Sequence, residues 1–556
     1  MTHSVLGAPA NRRTFLTLLG LSAAVAGSGG LLAGCSEKAP NEGAATNVDK
    51  LSGVVPKYTS FDLVKPDIPG IRPVADGFLK YPATLVEAVT EKPGKGGAAI
   101  KAFVPVWGAV PPSLANNSYL QAIAEKLGVP IDFSALDGNT YADKLGAIIG
   151  ARDVPDMLTI PGWEIGKIPR FADAVTALFE DLTPYLAGDA ANAYPMLASF
   201  PTNAWKNSVW GGKLAAVPWP TDGPFPYALF HRKDLVEKAG LQDPKTMDEL
   251  YEYGKKLTDP GKGVWAFGAV FDMVQMSFKL PGARGGWGKD ASGKVVHKYE
   301  LPGYKQAVEF TAKLFKDGLV HPDIIASKGA DAGQLFNSGK IICRQDGIGA
   351  WKNSQAEQAK ITPGYNMQPI ALFSAVGGDP VQWGSDEPIF YTFIKKGLGK
   401  ERTEEILRVA NWGAAPLGTK EFELREYGVE GKHFTRGADG TPTPNDLGRK
   451  ENTFQFGFLV GRNPAIIQTP DSPNYVKDLL TYSNATVKYL EKDPWAGIKL
   501  EFPANYSKVI QPAEDKIQDV LRGRRPVSDI DTIVKEWRDG GGEEGRQFLT
   551  KALTDS

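Results

Sequence analysis

Two cysteines, Cys35 and Cys343, and five histidines, His3, His231, His297, His321 and His433, are all that this 556-residue chain offers of the side chains that most often hold metals or attack substrates. Two cysteines cannot build a disulfide framework. Between Ile341-Ile342 and Arg344, Cys343 reads as a small buried hydrophobe rather than a reactive thiol. The histidines are dispersed, and the chain has no HExxH, no CxxC, no GxSxG elbow, no phosphate-cradling P-loop and no GxGxxG opening a strand–helix unit. No metal, cofactor or catalytic residue is therefore expected. The segment Lys289-Asp290-Ala291-Ser292-Gly293-Lys294 lacks the alternating acids of a calcium loop and reads as a turn. Basic and acidic residues number 63 and 64, which leaves no concentrated basic face for nucleic acid. The many acids leave room for a glycosidase-like carboxylate pair, but no local pattern singles one out. Beyond residue 34, no apolar run approaches the roughly 18 residues that span a membrane.

What is present begins at Asn11-Arg12-Arg13-Thr14-Phe15-Leu16. An uncharged stretch follows and ends at Leu32-Ala33-Gly34-Cys35. Paired arginines, an apolar run and a small-residue exit read as an export signal, residues 1–34, of twin-arginine type. The Leu-Ala-Gly-Cys ending is that of a lipoprotein signal, with Cys35 as the lipidated first residue of the mature chain. The competing reading is a membrane anchor, and Gly27, Ser28, Gly29 and Gly30 weaken its second half. Both place the body outside the cytoplasm, tethered to the cell membrane. Residues 35–60 follow as a flexible tether, because Ser36 to Asn47 has nothing to bury.

From there helical and strand patterns alternate, predicting an α/β fold of more than one lobe. Ile100-Lys101-Ala102-Phe103-Val104 and Asp156-Met157-Leu158-Thr159-Ile160 read as strands, and Tyr119 to Leu127 as a helix. Thr246-Met247-Asp248-Glu249 is a capping box before Leu250, Tyr253 and Leu257. Lys305 to Asp317 is a helix stopped by Gly318, and Ile530, Ile533, Val534 and Trp537 form one helical face. Of the 12 tryptophans, Trp412 and Trp537 fall inside helical patterns and are expected in the core. Trp107, Trp163, Trp219, Trp351 and Trp383 sit in loops rich in Pro and Gly, several directly after a strand, where ligand loops leave an α/β sheet. They are candidate ligand-facing residues, with loop packing as the alternative. Asn117, Glu164, Asp222, Asp346 and Asp386 are their polar neighbours, and solvated loop positions or turn caps are the bland alternative.

Several segments resemble family 1 extracellular solute-binding proteins of ABC importers. They are Trp210-Gly211-Gly212-Lys213-Leu214-Ala215-Ala216-Val217-Pro218, Leu229-Phe230-His231-Arg232-Lys233-Asp234-Leu235, the helix Thr246 to Leu257, and Gly318-Leu319-Val320-His321-Pro322-Asp323. Tyr427-Gly428-Val429-Glu430-Gly431 and the ending Val534 to Leu553 are similar to its long oligosaccharide-binding lipoprotein branch, the alginate-binding and LplA-like proteins. The resemblance implies a two-lobe α/β fold with hinge crossovers and a ligand cleft between the lobes. It puts the first crossover near Pro218 to Phe230 and the second near Gly384 to Ile394, with Trp219 and Trp383 facing the cleft from either side. On this division, residues 61–222 with 389–440 form lobe I, and 223–388 with most of 441–556 form lobe II.

The resulting expectation is a lipid-anchored, monomeric receptor and not an enzyme. It would hold a neutral or weakly charged oligosaccharide and deliver it to ABC permease subunits. Indoles suit the C–H faces of a sugar, and carboxylates or amides its hydroxyls. The alternatives left open are an exported glycan-cleaving hydrolase and a peptide- or siderophore-binding lipoprotein.

Overall fold

The computed structural model describes residues 43–555 except 167, 169, 226, 326–331, 359–360, 386–387 and 471. The export signal, Cys35 and Asp386 lie outside the described residues. Along the chain run the strands β1 (Ile100–Val106), β2 (Ile131–Asp137), β3 (Met157–Pro161), β4 (Ala216–Trp219), β5 (Ala228–Arg232), β6 (Trp265–Phe267), β7 (Ile341–Asp346), β8 (Met367–Pro369) and β9 (Phe390–Ile394). Two sheets take them up. The first has the order β2-β1-β3-β9-β4 and the second β6-β7-β5-β8. In the first, β1 is parallel to both β2 and β3, while β9 runs antiparallel between β3 and β4. The near-continuous burial of β1, β3, β5 and β9 is what covering both faces of a sheet demands.

The helices that matter here are α1 (Ser118–Leu127), α2 (Gly162–Ile165), α3 (Met247–Leu257), α4 (Pro302–Lys316), α5 (Ile348–Gln358), α6 (Lys420–Tyr427), α7 (Gln455–Leu459) and α8 (Ile530–Trp537). Local chemistry sets their ends. The Thr246 hydroxyl accepts from the Glu249 N–H at 3.1 Å, and Glu249 accepts from the Lys245 N–H at 2.8 Å, so α3 starts where its capping residues lie. Gly318, at φ +72°, takes the left-handed turn just past α4. Residues 289–294 form a turn in a hairpin, in which Asp290 accepts from the Ser292 and Lys294 N–H groups. Cys343, Trp412 and Trp537 are buried, and burial pushes the Cys343 thiol well above its ordinary range.

Each sheet has its own apolar core. Ile100, Leu127, Met157 and Ile406 belong to the first, and Leu229, Phe267, Leu314 and Trp537 to the second. The chain passes between the sheets at 220–227, between β4 and β5, and at 370–389, between β8 and β9. It passes again after Val460, which packs in the first core, before Ile466, which packs beside Phe230. Among the described residues no helix is long and apolar enough to cross a membrane.

Three expectations about the chain's division change. Ala44–Asn47 pairs antiparallel with Ile498–Glu501, and Leu51 and Val55 are buried, so the chain is folded from about residue 44 rather than forming a tether to 60. A ladder is held by backbone groups, and it needs no apolar side chains to form. Phe456, Leu459 and Val460 pack in the first core rather than on the second sheet's body. Val74 and Ala75 pack beside Ala228 and Phe230, within the second body although they lie early in the chain.

Candidate functional site

An aromatic wall lines one edge of the first sheet. Because β1 and β3 are parallel, both deliver the chain to the same edge. Trp107 follows β1 there, and Trp163 sits on α2 directly after β3. The antiparallel β9 begins at that edge with Phe390, which is in register with Pro161 on one side and Trp219 on the other. Helix α7 closes the group with Phe458. Two threonines hold this helix to the sheet: Thr159 Oγ1 donates to the Phe458 carbonyl at 3.3 Å, and Thr392 Oγ1 to the Leu459 carbonyl at 2.6 Å.

The rings touch in series. Trp107 lies 5.9 Å from Trp163 and 5.4 Å from Phe458, and Trp163 lies 5.3 Å from Phe390. Trp219 stacks on Phe390 at 4.8 Å and meets Phe458 edge-on at 5.8 Å. Trp107 is 38% and Trp163 49% exposed. Phe390 is buried beneath them. Two glycines make room. A Cβ on Gly138 would come within 2.2 Å of the Trp107 ring, and one on Gly461 within 2.4 Å of Trp219. The arrangement is a preformed apolar face with a hard backing, so little side-chain entropy is lost when something flat is laid on it.

The sequence candidates divide. Trp107, Trp163 and Trp219 come together in this wall, with the half-buried Glu164 one residue beyond Trp163. Trp351 and Trp383 do not join them. Trp351 is 1% exposed on α5, packed against Phe230 and Tyr475. Trp383 is 7% exposed in the second core, its indole N–H donates to the Leu280 carbonyl at 2.8 Å, and Gly282 lies flat against its ring. Both expectations of a ligand-facing indole are corrected on the same ground: the rings are covered by protein. Asn117 is corrected too. Fully buried, it caps α1 by accepting from the Leu120 N–H, and it donates to the Pro112 and Glu451 carbonyls. Asp346 pairs with Arg344 at 2.6 Å and accepts from the Gly347 N–H. Asp222 lies in the first passage between the sheets, where it accepts from the Ala465 N–H at 2.8 Å and pairs with Arg462 at 3.4 Å.

Sequence reasoning missed Phe390, Phe458 and Tyr227. Tyr227, in the first passage, is 36% exposed, and burial together with Asp272 and Asp346 raises its hydroxyl above the ordinary tyrosine range. A signal for Phe458 existed in Phe454-Gln455-Phe456-Gly457-Phe458, three phenylalanines at alternate positions.

One cluster imitates a catalytic arrangement. Ser118 Oγ lies 2.9 Å from His433 Nε2 and donates to Glu451 Oε2 at 2.7 Å. Glu451 meets the same Nε2 at 3.2 Å, while Nδ1 accepts the Val429 N–H. A triad places nucleophile and acid on opposite ring nitrogens. Here they share one, and the group instead ties α1 to the chain around Val429 and Glu451.

The family model for bacterial extracellular solute-binding proteins matches residues 111–390. The chain is 22% identical over 462 residues to the polygalacturonan/rhamnogalacturonan-binding protein YtcQ of Bacillus subtilis, covering 78% of this chain and 87% of that one. It is 26% identical over 486 residues to lipoprotein LipO of the same organism, covering 82% and 92%. Among solved structures, a solute-binding protein of Bifidobacterium longum infantis described as HMO binding and ABC-transporter associated superposes with a TM-score of 0.58 at 16% identity, covering 82% of this chain and 99% of that one. The N-glycan transport solute-binding protein of Streptococcus pneumoniae, in complex with Man1GlcNAc, gives 0.56 at 17% identity, covering 82% and 100%. At such identities these structures carry the two-lobe α/β fold.

Proposed function

The chain belongs to the bacterial extracellular solute-binding protein family, a family of binding proteins and not of enzymes, and we propose that it is the lipid-anchored receptor of an ABC importer, capturing an oligosaccharide and handing it intact to the permease. The observation that carries the ligand class is the wall formed by Trp107, Trp163, Trp219, Phe390 and Phe458. A pyranose has an apolar C–H face of about the area of an indole, and stacking it there removes both surfaces from water. Trp107 and Trp163 are open to receive it, and the buried Phe390 backs both rings. Relatives named as polygalacturonan/rhamnogalacturonan-binding, HMO binding and N-glycan transport proteins support the same reading.

The second sheet's body supplies the opposite jaw of the cleft, with Tyr227 at its entry, and hinge bending at the passages closes the jaws over the sugar. Cys35 would carry the lipid, holding the receptor at the extracytoplasmic face of the cell membrane near its permease. A thermal-shift screen against oligosaccharides tests the reading, since a ligand of the folded state raises its melting temperature by mass action. The active sugar should be recovered unaltered after incubation. Release of new reducing ends would replace the receptor by a hydrolase, and stabilisation only by peptides or siderophores would replace the ligand class.

A further inference from the structure

Phe454, the residue just before α7, holds a backbone conformation that bulky side chains rarely adopt. Its φ is +66° and its ψ +16°, in the left-handed region that only glycine enters without a Cβ penalty. Two side-chain amides impose this turn. Asn452 Oδ1 accepts the Phe454 N–H at 3.0 Å, while Asn452 Nδ2 donates to the Arg425 and Glu426 carbonyls of α6 at 3.1 and 2.9 Å. The buried Gln455 accepts the Thr453 N–H at 2.8 Å and donates to the Glu451 carbonyl at 2.9 Å. The chain is thus held, on both sides of Phe454, in a shape that its side chain disfavours.

Core packing does not account for it. Phe456 fills the first core and Phe458 packs against it, whereas Phe454 belongs to none of the apolar cores among the described residues. What the turn does is place a ring. The half-buried Phe454 side chain lies across Gly457, where a Cβ would run into it. Its ring stands 5.9 Å from Trp219 and meets Phe458 edge-on at 5.3 Å. With Phe454 the wall has two rows of three rings. In one, Phe458 lies 5.4 Å from Trp107 and 5.3 Å from Phe454. In the other, Phe390 lies 5.3 Å from Trp163 and 4.8 Å from Trp219. Phe458 joins the rows, 5.6 Å from Phe390 and 5.8 Å from Trp219. Each step along a row is comparable to one sugar unit of a glycan chain. A strained residue held in place by its surroundings, away from any core, is the mark of a functional position.

We infer that Phe454 is a further sugar-stacking residue and that the wall reads chain length. Trp107 and Trp163 receive one end of a glycan, and Phe454 with Trp219 receives a unit farther along. The inference rests on the glycan-receptor reading and adds to it a selection that the reading alone does not contain. A disaccharide covers only the open end of the wall. A longer chain reaches Phe454 and removes that ring from water as well, so added units add affinity. Because the turn locks the ring before the sugar arrives, little side-chain entropy is lost on contact.

Ladders of galactose, glucose and galacturonate oligomers, two to six units long, test this by native mass spectrometry, followed by calorimetric titration of the ladder that binds. With the wild-type protein the tetramer should bind at least about fivefold tighter than the dimer. Phe454→Ala should leave the dimer's affinity unchanged and remove most of the tetramer's advantage. Phe454→Gly should bind like Phe454→Ala but melt at a higher temperature, because glycine takes the left-handed turn without strain. This pair separates the ring from the backbone, and the wild-type ladder gives an answer even if Phe454→Ala folds poorly. Equal affinity for dimer and tetramer, or a full tetramer advantage in Phe454→Gly, would overturn the inference. Equal weakening of dimer and tetramer in Phe454→Gly would also overturn it, since the ring would then only support its neighbours. If no oligomer of any ladder binds, the glycan-receptor reading itself falls, and this inference with it.

Discussion

Trp219 and Phe390 are partners twice over: they stand opposite each other in the ladder between β4 and β9, and their rings stack with centroids 4.8 Å apart and planes 19° from parallel. A cross-strand aromatic pair of this kind stabilises the sheet by about 0.2–1 kcal/mol. It also fixes the pitch of the surface that Trp107 and Trp163 extend outward. One residue pair thereby serves both the core of the first body and the aromatic wall.

Trp219→Ala is accordingly expected to act on both. Loss of the stacking surface should weaken ligand binding by about 1–3 kcal/mol, roughly 5- to 150-fold. The vacancy over Phe390 should also lower the melting temperature. Calorimetry and thermal denaturation on the same preparation separate the two effects, and an unchanged melting temperature would show that the ring does not support the sheet.

Trp383→Ala should behave differently. Its ring is enclosed by the second core and its N–H is satisfied by Leu280. Truncation should cost about 3–5 kcal/mol of stability, with affinity preserved in the folded fraction. Trp537→Ala, in the same core, should match it. Denaturant titration measures the loss, and a selective loss of affinity in Trp383→Ala would return that residue to the cleft.

Stability should fall with acid through His231. Burial lowers its pKa from 6.5 to about 4, against the opposing pull of Asp243 at 3.7 Å; Nδ1 engages the Tyr253 hydroxyl at 2.8 Å while Nε2 is left without a partner. A depressed histidine pKa means that the unfolded chain binds the proton first. The contribution is therefore complete above about pH 6.5 and is lost progressively as the pH falls toward about 4, amounting to about 3 kcal/mol. His231→Leu should flatten that part of the profile of melting temperature against pH. A variant whose profile still drops as steeply as wild type would assign the loss to other groups.

Cys35→Ala should abolish incorporation of labelled fatty acid and leave the protein unprocessed or released from the membrane. Unchanged processing and labelling in that variant would remove the lipoprotein reading.

Much of the framework was legible in the sequence because it is local. The strand at Ile100, the capping box at Thr246 and the helical face of Ile530 and Trp537 each follow from spacing within a dozen residues. The two-lobe fold was legible through the resemblance. The composition of the wall was not, because it is assembled from five segments, and α7 lies more than two hundred residues beyond β4 in the chain. Trp107 and Trp383 sit in loops of the same Gly- and Pro-rich character, yet one is open and the other enclosed, and only the packing of distant residues such as Leu280 and Gly282 decides which. Asn117, by contrast, could have been recognised as a helix cap, since it directly precedes the helix carrying Tyr119, Leu120 and Ile123. A tether reaching residue 60 is what composition alone implies, because side-chain composition does not report a backbone ladder such as that of Ala44–Asn47.

Calorimetric titration of Trp163→Ala with the oligosaccharide found by screening bears most directly on the aromatic wall as the ligand site. Trp163 is half exposed and supports little else, so the variant should melt like wild type and bind roughly 5- to 150-fold more weakly. Wild-type affinity in a normally folded Trp163→Ala protein would place the ligand elsewhere.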